Sequence, residues 1–195
     1  MKIEIKKLTP DLAEDYVRFF DETPHNGNSD DQKCYCVTWR SDAAFADVGD
    51  AWFATREERR NHAIRFVESG GIQGYLAYCD NKIVGWCNAS GDCSYCVSYL
   101  RSFWPIEEDR GDVRVKSVFC FMIAPEFQRT GIATKLLERV CQDAAADGFD
   151  IVEAYTAKEF DDSSHKGPLA MYEKCGFYKH AEREGKIVMQ KKLKG

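Results

Sequence analysis

No stretch of 18 or more apolar residues occurs in this chain of 195 residues, so a membrane-spanning helix is not expected. The opening Met1-Lys-Ile-Glu-Ile-Lys6 lacks the apolar core of a secretion signal and alternates like a strand, which makes the cytoplasm the expected location. No basic stripe stands out. With 32 acids against 27 bases the net charge is -5, and a nucleic-acid partner is not expected. Neither an internal repeat nor a low-complexity tract is visible. Nine cysteines, an odd number without an export signal, argue against a disulfide framework. Cys79, Cys87, Cys120, Cys141 and Cys175 lie in apolar stretches and read as small buried hydrophobes.

What is present fits one globular domain over residues 1–195, with 44% apolar and 30% charged residues. Lys2 to Leu8 alternates and reads as a strand. Thr9-Pro10-Asp11 opens a helix whose apolar face is Leu12, Tyr16, Phe19 and Phe20. Thr23 to Asp50 is polar and too long for an ordinary connection. Asp50 to Ser69 reads as a second helix, with Arg56, Arg59 and Arg60 interleaved with Glu57 and Glu58 as a solvated face. Gly74 to Cys79 and Lys82 to Ala89 read as a hairpin turning at Asp80-Asn81. Gly91 to Arg110 is aromatic and partly helical. Val113 to Ala124 is apolar on both alternating sets after Ser117, the pattern of a central strand covered on two faces. A helix from Thr130 to Asp147, a strand from Asp150 to Ala157, a short helix from Gly167 to Cys175 and a terminal strand pair complete an α/β order around one sheet.

The chemistry concentrates in Phe119-Cys-Phe-Met-Ile-Ala-Pro-Glu-Phe-Gln-Arg-Thr-Gly-Ile-Ala-Thr134, where a strand ends, the chain turns and an amphipathic helix begins. First-turn N–H groups have no helical partner, and the helix dipole adds to their pull on an anion. Gly131 permits close backbone approach, Ala133 stays small, and Arg129 adds positive charge. A pyrophosphate suits such a nest. Neither the Gly-Lys-Ser/Thr ending of a P-loop nor a three-glycine dinucleotide fingerprint is present. By itself Gln-x-x-Gly-x-Ala is equally compatible with an ordinary helix start carrying a packing glycine.

This block resembles the Gln/Arg-x-x-Gly-x-Gly/Ala motif of the GNAT superfamily, the Gcn5-related N-acetyltransferases. Downstream, Leu169-Ala-Met-Tyr-Glu-Lys-Cys-Gly-Phe177 is similar to that family's Leu-Tyr-x-Lys-x-Gly-Phe segment. The resemblance implies a mixed α/β (α+β) fold, a splayed central sheet flanked by helices. It implies acetyl-CoA as acyl donor, with Phe121 and Ile123 lending backbone groups to the pantetheine arm. Backbone N–H groups of Gln128, Arg129, Thr130, Gly131, Ile132, Ala133 and Thr134 would hold the pyrophosphate. Tyr172 matches the tyrosine that protonates the departing thiolate. An asparagine common in the family ahead of that tyrosine is missing from Ser163-Ser-His-Lys-Gly-Pro168, which leaves Ser164 or His165 to replace it.

The expected activity is acetyl transfer to a primary amine of a small molecule by direct attack. A protein or peptide N-acetylase and a non-catalytic acyl-CoA sensor are the alternatives, and a homodimer is left open. Glu153 on the strand beside the gap shares a face with Tyr155 and reads either as the base or as a structural carboxylate. His165 is the second candidate base. Cys34-x-Cys36 and Cys93-x-x-Cys96 would have to meet in space to bind zinc, and no metal is expected there. Tyr35, Trp39, Tyr95, Tyr99, Phe103 and Trp104 either shape an acceptor pocket or pack the irregular segments onto the core.

Overall fold

A computed structural model describes residues 2–24, 30–41, 53–91, 94–107, 110–159 and 164–193. Seven strands form one sheet: β1 (Ile3–Lys7), β2 (Gly74–Cys79), β3 (Lys82–Ser90), β4 (Val115–Ile123), β5 (Ile151–Ala157), β6 (Tyr178–Arg183) and β7 (Lys186–Lys192). Their order is β1-β2-β3-β4-β5-β7-β6. Every pairing is antiparallel except β4 with β5. The β2–β3 hairpin turns on Asp80 and Asn81, both left-handed with φ of 48° and 66°, a pair that matches the twist of the flanking strands.

The helices are α1 (Ala13–Glu22), α2 (Arg56–Glu68), α3 (Ser94–Arg101), α4 (Ile132–Ala146) and α5 (Leu169–Lys174). Among the described residues no helix is long and apolar enough to cross a membrane. α4 connects the two parallel strands and lays Ile132, Leu136, Leu137, Val140, Cys141 and Ala144 on one face of the sheet. Burying each of its large aliphatic side chains contributes roughly 1.5–3 kcal/mol. Gly85 lets the first turn of α4 come this close, because a Cβ there would meet Ile123 Cδ1 at 2.9 Å and Ile132 Cγ2 at 3.1 Å. The opposite face is covered in two parts. α1 and α2 pack on Leu76, Trp86 and Met122, while α3 and Trp104 pack on Phe119, Tyr155 and Val188.

Two expectations are corrected. α2 does not reach back to Asp50: residues 53–55 are non-helical, and residues 50–52 lie outside the described residues. The helix starts at a capping box, in which Thr55 Oγ1 accepts from Glu58 N–H at 3.1 Å and Glu58 Oε2 accepts from Thr55 N–H at 3.0 Å. The basic cluster on α2 is not a solvated face either. Arg56 and Arg60 both bond Asp21, which also accepts from Tyr35 Oη at 2.6 Å. Burial opposes ionisation of Asp21, but these bonds from Tyr35, Arg60 and Arg56 prevail and hold its carboxyl below the usual range.

Arg59 is 2% exposed. Its guanidinium donates to the carbonyls of Lys33 at 2.8 Å, Phe53 at 2.7 Å and Ala54 at 3.2 Å, and also to that of Asp31. A planar five-donor fork is the group that can satisfy so many converging carbonyls. Arg59→Lys is therefore expected to lower unfolding free energy by about 3 kcal/mol, since several charge-assisted bonds disappear and their acceptors stay buried. Urea denaturation measures it; a loss below about 0.5 kcal/mol, the surface-substitution range, would show the fan of bonds to be unimportant.

Candidate functional site

The β4–β5 ladder runs from Val115/Ile151 to Val118/Ala154 and then stops, although β4 continues to Ile123 and β5 to Ala157. A bulge marks the place. Asn88 pairs with Cys120 and Ala89 with Val118, so Phe119 is an extra residue in β4. Beyond it the strands part and leave backbone groups of β4 facing the gap.

On the α4 side of this gap lies a cavity of about 510 Å³. Phe121, Ile123, Gln128, Arg129, Gly131, Ile132, Ala133 and Thr134 line it, together with His165, Gly167 and Met171. The structure thus brings together every residue expected at the nest except Thr130, whose hydroxyl turns away to Phe127 O at 2.5 Å. The turn is built from left-handed residues, Arg129 at φ 60° and Gly131 at φ 85°. Gly131 is the N-cap of α4 and offers no side chain to the first-turn N–H groups. The first intrahelical bond is from Lys135 N–H to Gly131 O at 3.1 Å, so the N–H groups of Ile132, Ala133 and Thr134 precede any helical acceptor. A Cβ on Gly131 would meet nothing within 4 Å. The nest opens onto free space of the kind an anionic ligand needs.

The edge of β4 is partly engaged by the chain itself. Phe121 N–H donates to His165 O at 2.7 Å, and Gln128 Nε2 makes a long bond to Ile123 O at 3.4 Å. Tyr172 is fully buried beside Phe121 and Phe177, with ring separations of 6.4 and 5.5 Å, and its hydroxyl donates to Lys166 O at 2.5 Å. Burial foremost, and then the thiols of Cys87, Cys120 and Cys175, push its phenol well above the usual range. The group therefore carries its proton throughout the neutral range, as a proton donor must.

Glu153 lies elsewhere. It sits on the paired stretch of β5, opposite Ser117, at 2% exposure. It accepts from Arg110 at 2.6 Å, Tyr155 Oη at 2.8 Å and Gln190 Nε2 at 2.8 Å. Tyr155 Oη also meets Ser117 Oγ at 3.1 Å. Of its two readings this geometry favours the structural carboxylate, because it already accepts three hydrogen bonds and borders neither cavity at the gap.

A second cavity, about 80 Å³, opens on the other face between Phe20, Cys34, Trp39, Cys120 and Lys166. It shares Phe121, Met122 and His165 with the first. The aromatics of the irregular segments divide here. Tyr35 packs on Phe20 in the α1 core, whereas Trp39 stacks on Phe119 at 5.2 Å and Trp104 donates from Nε1 to Thr156 O on the β5 arm. Cys36 Sγ contacts Cys120 Sγ at 3.1 Å, and Cys96 Sγ donates to Arg40 O at 3.0 Å. Cys93 lies outside the described residues. Sequence reasoning missed Lys166, for which no local signal exists in a polar Ser-Ser-His-Lys-Gly run.

The sequence matches the Acetyltransferase (GNAT) family over residues 14–177. No curated protein matches it. The fold is similar to an acetyltransferase of the GNAT family from Streptococcus pneumoniae, at 19% identity and a TM-score of 0.56 over 99% of this chain and 100% of that one. It is also similar to paia N-acetyltransferase from Thermoplasma acidophilum in complex with coenzyme A, at 15% identity and a TM-score of 0.54, covering 98% and 99% of the two chains. A third similar structure is yncA from Salmonella typhimurium with its cofactor acetyl-CoA, at 13% identity and a TM-score of 0.57, covering 100% and 96%. At these identities the likeness is one of fold.

The two readings of Glu153 are separable. Glu153→Gln is expected to lower stability by about 3 kcal/mol, because Arg110 loses its buried partner, and to leave the pH profile of turnover unshifted. A shifted profile with unchanged stability in urea would make Glu153 the base.

Proposed function

The chain belongs to the acetyltransferase (GNAT) family, and we propose that it transfers an acetyl group from acetyl-CoA to a primary amine of a small molecule. The observation that carries this reading is one continuous cavity joining the left-handed turn at Arg129 and Gly131, the open first turn of α4 and the unladdered edge of β4. A pyrophosphate needs the first two and a pantetheine arm needs the third. The free space above Gly131 supports the fit.

In this reading acetyl-CoA supplies a thioester carbonyl open to attack by an amine. The N–H groups from Gly131 to Thr134 hold the pyrophosphate, with Arg129 adding charge and Gln128 and Thr130 completing the turn. Peptide groups of Phe121 and Ile123 align the arm. Phe121 N–H, which His165 O now holds, is the donor placed to polarise the acyl carbonyl. The acceptor approaches from the opposite face through the cavity beside Trp39, whose small volume suits a slim amine better than a folded polypeptide surface. His165 borders both cavities, and neither is lined by an Asp or Glu among the described residues. Its imidazole is the group best suited to accept the ammonium proton. Tyr172 returns a proton to the departing sulfur.

Gly131→Trp is expected to leave the fold intact by circular dichroism and to weaken coenzyme A binding by at least about tenfold, because the side chain enters the nest and the left-handed backbone resists it. Calorimetry showing unchanged affinity would remove the cofactor from this site. Tyr172→Phe is expected to reduce kcat by roughly 100-fold while coenzyme A affinity stays within about twofold, since only a proton donor is lost. Full-rate turnover would reduce Tyr172 to packing.

A further inference from the structure

Lys166 is a part-buried base whose side chain neither the nest nor the proton donor uses. It belongs to the segment Ser164–Gly167, which spans the mouth of the gap and bonds both arms of the sheet. His165 O accepts from Phe121 N–H at 2.7 Å on the β4 arm, and Gly167 O accepts from Thr156 Oγ1 at 2.7 Å on the β5 arm. His165 and Gly167 are left-handed, at φ 54° and 77°, so the lysine between them is presented by a tightly wound backbone.

Its ammonium group reaches the interior of the gap. Lys166 Nζ donates to Phe119 O at 2.8 Å, the carbonyl of the bulged residue. The Trp39 ring centroid is 4.3 Å away and that of Trp104 is 5.2 Å away, so the cation faces one indole stacked on β4 and another bonded to β5. No carboxylate pairs with it among the described residues. Burial above all lowers its pKa to about 8, with Lys186 acting in the same direction and the thiols of Cys120, Cys36 and Cys96 opposing. A sizeable fraction is thus the neutral amine in mildly alkaline solution.

Phe119 O and Phe121 N–H both project from β4 toward the gap, since both bond the same crossing segment. An amine held on the first and an acyl carbonyl held on the second are neighbours on one edge. That is the juxtaposition direct attack requires.

We infer that Lys166 is itself an acetyl acceptor, and that the chain modifies this residue in cis at the acceptor position between Trp39 and Trp104. The inference rests on the acetyl-CoA reading above. His165 O releases Phe121 N–H to the acyl carbonyl while Nζ stays on Phe119 O. The neutral Nζ forms an amide bond to the acetyl carbon as the carbon–sulfur bond breaks. Nitrogen loses one proton and sulfur gains one, through Tyr172 and solvent, so the products are acetyl-lysine and free thiol. The amide carries no charge and gives up its cation–π contacts, which loosens the segment from the gap.

The test incubates the full chain with acetyl-CoA and no added amine, then maps acetyl-lysine by peptide mass spectrometry. Lys166 is expected to be acetylated at least about tenfold faster than the exposed Lys6 and Lys82, at a rate constant independent of protein concentration. Excess free coenzyme A should suppress modification of Lys166 and leave Lys6 and Lys82 unaffected. Equal rates at the three lysines, or no suppression, overturn the inference. Coenzyme A binding by calorimetry with Lys166 unmodified overturns it while leaving the acetyl-CoA reading in place. Absence of coenzyme A binding overturns both.

Discussion

The structure depends on a parallel pair that cannot be completed. β4 and β5 bond for four residues each, and the extra Phe119 then turns β4 away from its partner. Buried peptide groups need partners, so a parted edge in the middle of a sheet demands something to fill it. Here the demand is met by the chain crossing at His165 to Gly167, by the side chain of Gln128 and by Lys166. A ligand that brings its own amide and carbonyl groups along its length can take the same bonds. The gap is thus a place in the sheet equipped to bind an extended molecule.

The closed end of the gap is reinforced to match. Glu153, Arg110, Tyr155, Ser117 and Gln190 form a buried polar network where the ladder is still intact. A network whose members are mutually satisfied rigidifies its surroundings, whereas a half-satisfied one is costly. Its position just before the divergence fixes where the strands begin to part. The aromatic rings of Phe119 and Tyr155, stacked at 5.9 Å, then bridge the first residues of the opening.

The elements that were legible in the sequence are those with local causes. The apolar spacing of α4, the two-sided apolar run of β4 and the Asp80-Asn81 turn each follow from the residues themselves. Thr55-x-x-Glu58 was an available signal for the start of α2 that the mixed charges obscured. α3 was only dimly visible because Cys96 and Leu100 are the sole buried residues along it. Arg59 and Lys166 were illegible for a different reason. Each is an ordinary polar residue in its own segment, and each takes its place from partners far along the chain. Glu153 falls between: alternation put it on one face with Tyr155, but Arg110, its ion-pair partner, lies on a separate segment.

Arg59 gathers carbonyls from Asp31 and Lys33 on one segment and from Phe53 and Ala54 on another, and Ser41 N–H is fixed separately to Gly71 O at 2.6 Å. One side chain on α2 thus fixes two chain segments that are separate in sequence. Arg59 in effect acts as a splice: the stretch of chain that carries Trp39 keeps its place on the helical layer through a side chain that lines neither cavity.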